Sequence, residues 1–283
     1  MRREILQIIL IKLTLLFSIS SLLSCCTFSN HPLSSSSTNK KPTQTIQITD
    51  SFVKIQKIFT IKSCIPVKNS VCHRGNVYSS SGSGVVIASN KSGSFIITAG
   101  HVCTGSAGIL PQAPFVGDVE EDIILQDIEG KSYSGNRIIK IELKRDIDLC
   151  AIFSSKMTNH AIANISDKAP NVGDRVINVA APAGIFHPPA VPILEGIYSG
   201  IMKPMNTDMY TVPAVGGSSG SPIYNQDHKL IGIVFAAHKQ FSHMSMSTTY
   251  KKTMKFILDS LAQKTTPYKR KKENKFIDVF LNH

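Results

Sequence analysis

The stretch Val85–Ile97, VVIASNKSGSFII, contains two short apolar runs separated by a cluster of Ser, Asn, Lys and Gly. β-Branched and aromatic residues favour strands, and Gly, Asn and Ser favour turns, so this stretch is typical of two strands joined by a turn. Similar β-rich runs recur at Asp148–Phe153, Arg175–Ala180 and Leu230–Phe235. No long helical period interrupts them, which excludes a parallel βαβ protein and predicts an all-β barrel or sandwich.

The overall composition is that of a globular protein with a basic surface. Of the 283 residues, 42% are hydrophobic and 18% charged, which excludes a wholly disordered or collagen-like chain. The 31 Lys and Arg residues outnumber the 19 Asp and Glu residues, for a net charge of +12, and favour anionic partners. Because no aromatic interleaving or nucleic-acid-binding motif accompanies this charge, we expect no specific nucleic-acid binding.

The N-terminal region differs from the β-rich middle. Residues 1–24 combine a basic start with the apolar run Leu13–Leu23, which predicts a signal peptide or a membrane anchor. Leu22-Leu23-Ser24-Cys25 also resembles a bacterial lipobox with Cys25 as the lipidated residue, so lipidation, cleavage and anchoring stay open. Residues 25–49 are predicted to be a Ser/Thr-rich tether, and residues 50–263 the folded domain.

The end of the chain is predicted to be a helix followed by a tail. Within Thr248–Gln263, apolar residues recur at the spacing of an amphipathic helix. These residues are Met254, Ile257, Leu258 and Leu261. Residues 264–283 include Lys269-Arg270-Lys271-Lys272 and are predicted to be a basic, solvated tail.

Three motifs place nucleophilic chemistry at the edges of the predicted strands. Thr98–Cys103 closes a strand with a histidine, Arg145–Ile152 opens one with a carboxylate, and Gly216–Pro222 places a serine in a glycine-rich turn. A serine hydroxyl needs an imidazole to take its proton, and a carboxylate on the other ring nitrogen fixes the tautomer. Glycines beside the serine let backbone N–H groups converge on an oxyanion. Together the motifs indicate a nucleophilic site.

With these motifs, the chain from about Ser81 to His238 resembles the trypsin-like serine peptidases, most of all their HtrA-type branch. The matching segments are Ser81–Ile87, Ile97–His101, Asp148–Ile152, Val172–Gly184, Gly217–Pro222 and Leu230–Val234. The resemblance implies an all-β fold of two six-stranded antiparallel β-barrels with a C-terminal helix. The residues after that helix are too few for the PDZ domain that HtrA-type enzymes usually carry, so none is expected.

The resemblance also assigns roles to individual residues. His101 would be the general base, Asp148 its orienting carboxylate and Ser219 the nucleophile, and the N–H groups of Gly217 and Ser219 would form the oxyanion hole. Asp146 is the alternative to Asp148, but the family's Asp directly precedes the apolar strand residues, as Asp148 does here.

Two residues depart from the family's pattern. Ser221 replaces the second glycine of the serine motif, and Ser218 stands where the digestive enzymes have an aspartate that pairs with a freed N-terminus. We therefore expect that no activating cleavage is required.

The family's geometry also implies a substrate pocket. Its lining would be Pro213, Ala214, Val215, Phe235, Ala236 and Ala237. These apolar walls predict a preference for a small or medium apolar side chain. No cofactor and no metal are expected, because the cysteine spacings do not match a zinc site.

The cysteines offer two disulfide pairings in an exported protein. Because the family brings His101 and Asp148 together, a Cys103–Cys150 bridge is expected, and Cys64–Cys72 would close a small hairpin. Reduced, buried thiols stay open as the alternative.

The function expected from the resemblance is that of an exported serine endopeptidase that cleaves protein or peptide substrates through an acyl-enzyme. It would reside in the cell envelope or periplasm, held to a membrane by the N-terminal anchor or a lipid, or be secreted. The alternative is a catalytically silent trypsin-like module that binds peptides or a surface partner.

Overall fold

The computed structural model describes residues 48–63, 65–66, 74–75, 77–104, 115–116 and 118–263. The predicted leader (1–24), most of the predicted tether, the Cys64–Cys72 pair and the basic tail (264–283) lie outside these residues. None of the helices in the described part of the chain combines the length and the apolar character that a membrane span requires.

The first half of the described chain consists of short strands and one short helix. These elements are β1 (Phe52–Ile61), β2 (Ile65–Pro66), β3 (Val77–Asn90), β4 (Gly93–Thr98), α1 (Gly100–Thr104), β5 (Phe115–Val116), β6 (Val119–Asp127), β7 (Ser132–Tyr133), β8 (Arg137–Lys144) and β9 (Ile147–Ser154). Seven of the strands form one antiparallel sheet in the order β7-β6-β1-β3-β4-β9-β8, and β2 pairs with β5.

The second half forms a closed six-stranded barrel followed by a helix. Its elements are β10 (Arg175–Val179), a 3-10 turn (Pro182–Gly184), β11 (Ile193–Met202), β12 (Thr207–Tyr210), β13 (Pro222–Tyr224), β14 (Leu230–His238), β15 (Phe241–Thr248) and α2 (Tyr250–Ala262). The antiparallel barrel has the strand order β10-β11-β12-β15-β14-β13. The trypsin-like, mostly β fold predicted from the sequence is confirmed.

The first sheet differs in detail from the six-stranded barrel that was expected. It has seven strands, and no ladder joins its outer strands β7 and β8 within the described residues. β7 is only two residues long, and Asn136, just before β8, bonds to the neighbouring backbone through its side chain. Its amide donates to the carbonyls of Ile123 and Tyr133, both at 2.8 Å. The Asn136 side chain thus ties the start of the segment leading into β8 to β6 and β7, without a ladder to β8.

One apolar cluster joins both halves of the fold and the C-terminal helix. Val85 and Leu149 of the first sheet pack in the same cluster as Leu230 of the barrel and Phe256 and Ile257 of α2. Burial of this shared apolar surface favours one arrangement of the two halves, and the ends of β4 and β9 can therefore meet groups of the barrel.

The helix predicted over Thr248–Gln263 is observed over Tyr250–Ala262. Ile257 is buried and Met254 packs against the shared cluster, as expected. Leu258 and Leu261, also predicted for the buried face, are instead 64% and 37% exposed. The buried face of α2 is thus rotated around the helix axis from the face that the apolar pattern predicts. Thr253, Phe256 and Ser260 lie on the buried face beside Ile257.

Candidate active site

His101 and Asp148 are brought together by two paired strands. β4 and β9 are antiparallel neighbours with Thr98 opposite Cys150, and His101 follows β4 in α1. The His101 backbone N–H donates to Asp148 Oδ1 at 2.9 Å, and His101 Nδ1 lies 2.7 Å from Asp148 Oδ2. Because a carboxylate only accepts, Nδ1 is the donor, and Nε2 is left as an acceptor in the neutral ring. The imidazole thus has the tautomer that a general base needs.

Asp148 is also held by the second half of the molecule. Its backbone N–H donates to Thr248 Oγ1 at 3.1 Å. Thr248 is completely buried at the end of β15. The position of the carboxylate therefore depends on the barrel as well as on β9.

Asp146, the alternative partner for His101, faces other groups. Its carboxylate accepts hydrogen bonds from Lys252 of α2 and from Asn206 Nδ2 at 3.3 Å. The hydrogen bond from Lys252 is the main cause that lowers the pKa of Asp146 below its ordinary value. Only Asp148, of the two carboxylates, contacts His101.

The expected disulfide between Cys103 and Cys150 is present, with the two Cα atoms 6.4 Å apart. Cys103 lies in α1, two residues after His101, and Cys150 lies in β9, two residues after Asp148. The bond therefore ties the element that carries the imidazole to the strand that carries the carboxylate.

Breaking this disulfide should lower stability because it closes a loop with a sequence separation of 47. A loop of that length predicts a loss of about 4 kcal/mol in the free energy of unfolding. In urea unfolding, we expect Cys103→Ala alone to lower the free energy of unfolding by most of this amount. The Cys103→Ala/Cys150→Ala double variant should lower it by little more, because the bond is already broken in the single variant. Additive losses from the two single variants would contradict the prediction.

The turn that carries Ser219 requires glycine at two positions. Gly217 and Gly220 have φ angles of +93° and +88°, which residues with a side chain rarely adopt. A Cβ atom on Gly217 would also lie 2.4 Å from the Ala181 carbonyl oxygen, and one on Gly220 would lie 2.0 Å from Thr98 Oγ1. The glycines let the turn pack directly against the first sheet and the 3-10 turn.

The N–H groups of Gly217 and Ser219 donate no hydrogen bond to any residue that the structure describes. The carbonyl of Gly216 accepts a hydrogen bond of 2.6 Å from the Ala183 N–H. Since N–H and C=O point in opposite directions across a trans peptide, this bond turns the Gly217 N–H away from Ala183. Ala183 itself has a φ of +53°, an uncommon conformation for alanine. The turn thus presents two backbone donors without internal partners.

The two serines that depart from the family's pattern are satisfied locally. Ser218 is buried, its N–H donates to the Val215 carbonyl at 2.9 Å, and its hydroxyl accepts from the Val215 N–H at 3.3 Å. Ser221 is buried too, and its hydroxyl accepts a hydrogen bond of 2.8 Å from Asn178 Nδ2. A residue with a Cβ atom therefore fits at position 221, and Ser218 makes its contacts without an ionic partner.

The residues predicted to line the substrate pocket lie in two stretches, Pro213–Val215 before the Ser219 turn and Phe235–Ala237 in β14. The Ala214 N–H donates to the Ser242 carbonyl at 2.8 Å, which holds the first stretch against β15, the neighbour of β14. Val215 is exposed, whereas Phe235 packs against the apolar cluster that contains Cys103 and Cys150. Ala214 is buried in an apolar cluster of the barrel, whereas Ala236 and Ala237 are partly exposed.

A cavity of about 340 Å³ lies elsewhere, lined by Gly135, Arg137, Phe153 and Ser155. Phe153 is near the opposite end of β9 from Asp148. The cavity therefore includes none of the predicted site residues, and we assign it no part in the chemistry.

Two residues that contact the site were not singled out from the sequence. Thr248 was included only as the start of the predicted helix, and Ser83 only as part of a strand motif. The available signal at Ser83 was a polar residue inside a strand segment that is otherwise glycine and apolar side chains, Gly82–Ile87. A polar group in such a run is expected to be buried with specific hydrogen-bond partners.

Comparisons with known proteins agree with this fold and sequence pattern. Residues 82–233, more than half of the chain, match the family model described as trypsin-like peptidase domain. A solved structure, the serine endoprotease from Yersinia pestis, shares the fold with a TM-score of 0.52 and 17% sequence identity. The match covers 76% of this chain and 64% of that one.

A search among curated proteins gave no match. The family model covers α1 with His101, β9 with Asp148, the Ser219 turn and β14 up to Ile233. The chain therefore belongs to the trypsin-like peptidase domain family.

Proposed function

We propose that the protein is a serine endopeptidase that uses Ser219 as nucleophile, His101 as general base and Asp148 as the group that orients the imidazole. The observation that carries this proposal is the pair of hydrogen bonds from His101 to both oxygens of Asp148. Together they fix the ring and its tautomer, which is the requirement for proton transfer at Nε2.

In the proposed reaction, Ser219 Oγ attacks the carbonyl carbon of the scissile peptide bond while its proton moves to His101 Nε2. The carbonyl oxygen becomes an oxyanion and accepts hydrogen bonds from the N–H groups of Gly217 and Ser219. The C–N bond then breaks, and His101 returns its proton to the leaving amine. Water attacks the acyl-enzyme with His101 again as base, which releases the acid and restores Ser219.

We propose that protein or peptide substrates are bound with a small or medium apolar side chain beside Val215, Ala236 and Ala237, which are exposed or partly exposed. The absence of an acidic side chain at these positions and at Pro213 supports this preference over Lys or Arg. Export, and membrane attachment through residues 1–24 or a lipid on Cys25, are parts of the same proposal. The Cys103–Cys150 disulfide supports export because disulfides persist mainly in oxidising compartments.

One observation favours a second candidate, a catalytically silent module that binds peptides or a surface partner. The Ser219 hydroxyl makes no hydrogen bond within the described residues, so it is not paired with His101 in this conformation. Hydrogen bonds of catalytic groups are often long in ligand-free structures and shorten when substrate binds. The peptidase therefore stays the leading candidate.

Labelling with an alkyl fluorophosphonate separates these candidates. The probe reacts only with an activated serine: Oγ forms a bond to phosphorus, fluoride leaves, and His101 takes the proton. We expect the full-length protein to be labelled on one residue, with all labelling lost in Ser219→Ala. Intact mass spectrometry measures both results.

The control for folding is circular dichroism of Ser219→Ala, whose spectrum should match that of the unchanged protein. A folded protein that is not labelled, at any pH at which imidazole is neutral, would contradict the peptidase and favour the binding module. Labelling that persists in Ser219→Ala would place the nucleophile elsewhere.

A further inference from the structure

Ser83 is completely buried in β3, at the point where the first sheet contacts the Ser219 turn. It pairs with Lys54 of β1 on one side, and on its other side it faces the turn of the barrel. A buried hydroxyl is costly unless it is hydrogen-bonded, so its partners indicate why a serine is present among apolar neighbours.

The Ser83 hydroxyl joins two segments of the barrel. It donates to the carbonyl oxygen of Gly217 at 2.9 Å and accepts from the N–H of Ala181 at 3.0 Å. Ala181 directly precedes the 3-10 turn, whose Ala183 N–H holds the carbonyl of Gly216. One side chain thus bonds directly to the Ser219 turn and to the segment that supports it.

The backbone of Ser83 makes two further bonds at the same place. Its N–H donates to the carbonyl oxygen of Ser219 at 2.8 Å, and its own carbonyl accepts from Thr98 Oγ1 at 2.7 Å. Thr98 is the last residue of β4, three residues before His101. Ser83 therefore contacts the strand that leads to the base and the turn that carries the nucleophile.

We propose that Ser83 is a positioning residue for the oxyanion hole. Its hydroxyl holds the Gly217–Ser218 peptide, which directly follows the Gly217 N–H, and its N–H holds the Ser219–Gly220 peptide. These two peptides lie on either side of the peptide that carries the Ser219 N–H. A hydrogen-bond donor stabilises charge only when it is held in place before the charge develops. The hydroxyl therefore acts on the transition state through the turn and does not touch the substrate.

This inference rests on the proposed peptidase function, and its test separates the two. Ser83→Ala removes the hydroxyl and keeps the backbone N–H, whereas Ser83→Cys keeps a donor at the same atom position that is weaker and somewhat larger. Ser94→Ala is the matched control. Ser94 is also a buried serine of the first sheet, and its hydroxyl donates to the Met157 carbonyl at 2.5 Å, away from the Ser219 turn.

The full-length variants are assayed with 4-nitrophenyl acetate for kcat and KM, and with an alkyl fluorophosphonate for the rate constant of inactivation. In Ser83→Ala we expect kcat to fall about tenfold to 100-fold. This loss is smaller than that from removing a donor of the oxyanion hole, because the N–H donors are displaced but still present. The KM of Ser83→Ala should stay within about twofold of that of the unchanged protein. The kcat of Ser83→Cys should lie between those of Ser83→Ala and the unchanged protein. The pH midpoint of kcat/KM should not move, since His101 and Asp148 keep their contacts.

A merely structural role gives a different pattern. Ser83→Ala and Ser94→Ala would both unfold at lower temperature, but neither would change kcat at a temperature where both are folded. A kcat in Ser83→Ala within about twofold of the unchanged protein would overturn the inference and leave the peptidase intact. An unchanged protein that does not react with either reagent would overturn the proposed function, and the inference with it.

Discussion

Replacing Asp148 with asparagine should lower kcat/KM by about 10⁴ and leave the fold intact. The amide is nearly isosteric with the carboxylate, so its oxygen can still accept the hydrogen bond from the His101 backbone N–H. Its NH₂ group, however, would face His101 Nδ1, where Oδ2 now accepts a hydrogen bond. Two donors cannot pair, so the ring must move its proton to Nε2, and it can no longer accept the proton of Ser219. The rate of inactivation by fluorophosphonate measures the loss.

Asp146→Asn is the matched control for this variant. The two carboxylates are two residues apart, and Asp146 bonds to Lys252 and Asn206 in place of His101. It lies in the turn between β8 and β9 with its side chain 31% exposed, where an ion pair contributes little. We expect a change of less than about threefold in kcat/KM, within the range of ordinary surface substitutions. The reverse pattern, with the large loss in Asp146→Asn, would show that Asp146 orients the base.

The second large effect is expected for Gly220→Ala, in the turn beside Ser219. The added Cβ atom would lie 2.0 Å from Thr98 Oγ1 and 2.1 Å from the Ser83 carbonyl oxygen, closer than any stable contact. Either the turn or β3 must shift, and a shift of about 1 Å in a reacting group can cost about 100-fold in rate. With the oxyanion donors displaced as well, we expect a loss of about 10³ in the rate of fluorophosphonate labelling. The free energy of unfolding should fall by about 3 kcal/mol or more, measured in urea.

Gly173→Ala separates the steric part of this effect from the conformational part. Gly173 has a φ of +95°, close to that of Gly220, but a Cβ atom there would meet nothing within 4 Å. The free energy of unfolding of Gly173→Ala should therefore fall by about 1 kcal/mol, which is the cost of placing alanine at positive φ. The rate of fluorophosphonate labelling should not change. Equal losses of stability and of labelling rate in Gly220→Ala and Gly173→Ala would contradict the prediction. They would mean that the close contact of Gly220 with β3 is not what makes its replacement costly.

The fold was predictable because its apolar strands are short, rich in β-branched residues and separated by turn residues. All five expected segments coincide with observed strands, namely β3, β4, β9, β10 and β14, and only Ala180 lies one residue beyond the end of β10. The Cys103–Cys150 bridge was expected because the resemblance placed His101 next to Asp148. The roles assigned to His101, Asp148 and Ser219 stay predictions until the serine is labelled.

The features that were not predictable depend on contacts between distant parts of the chain. Thr248 bonds to Asp148 across 100 residues, and Ser83 bonds to Gly217 across 134. No local pattern in the sequence specifies such partners, because only the packed barrel brings them together. Likewise Leu258 and Leu261 fit a helical stripe as well as Phe256 does, and the shared apolar cluster selects which side of α2 is buried.

In the proposed peptidase, the wide spacing of the site would also determine when a newly made molecule becomes active. The groups that contact or support the proposed site extend from Ser83 in β3 to Thr248 at the end of β15. A chain still on the ribosome acquires His101 and Asp148 first, but it lacks both Ser219, the proposed nucleophile, and Thr248, which bonds to Asp148. The proposed peptidase would therefore stay inert towards the machinery that synthesises it until β15 has emerged and joined the barrel.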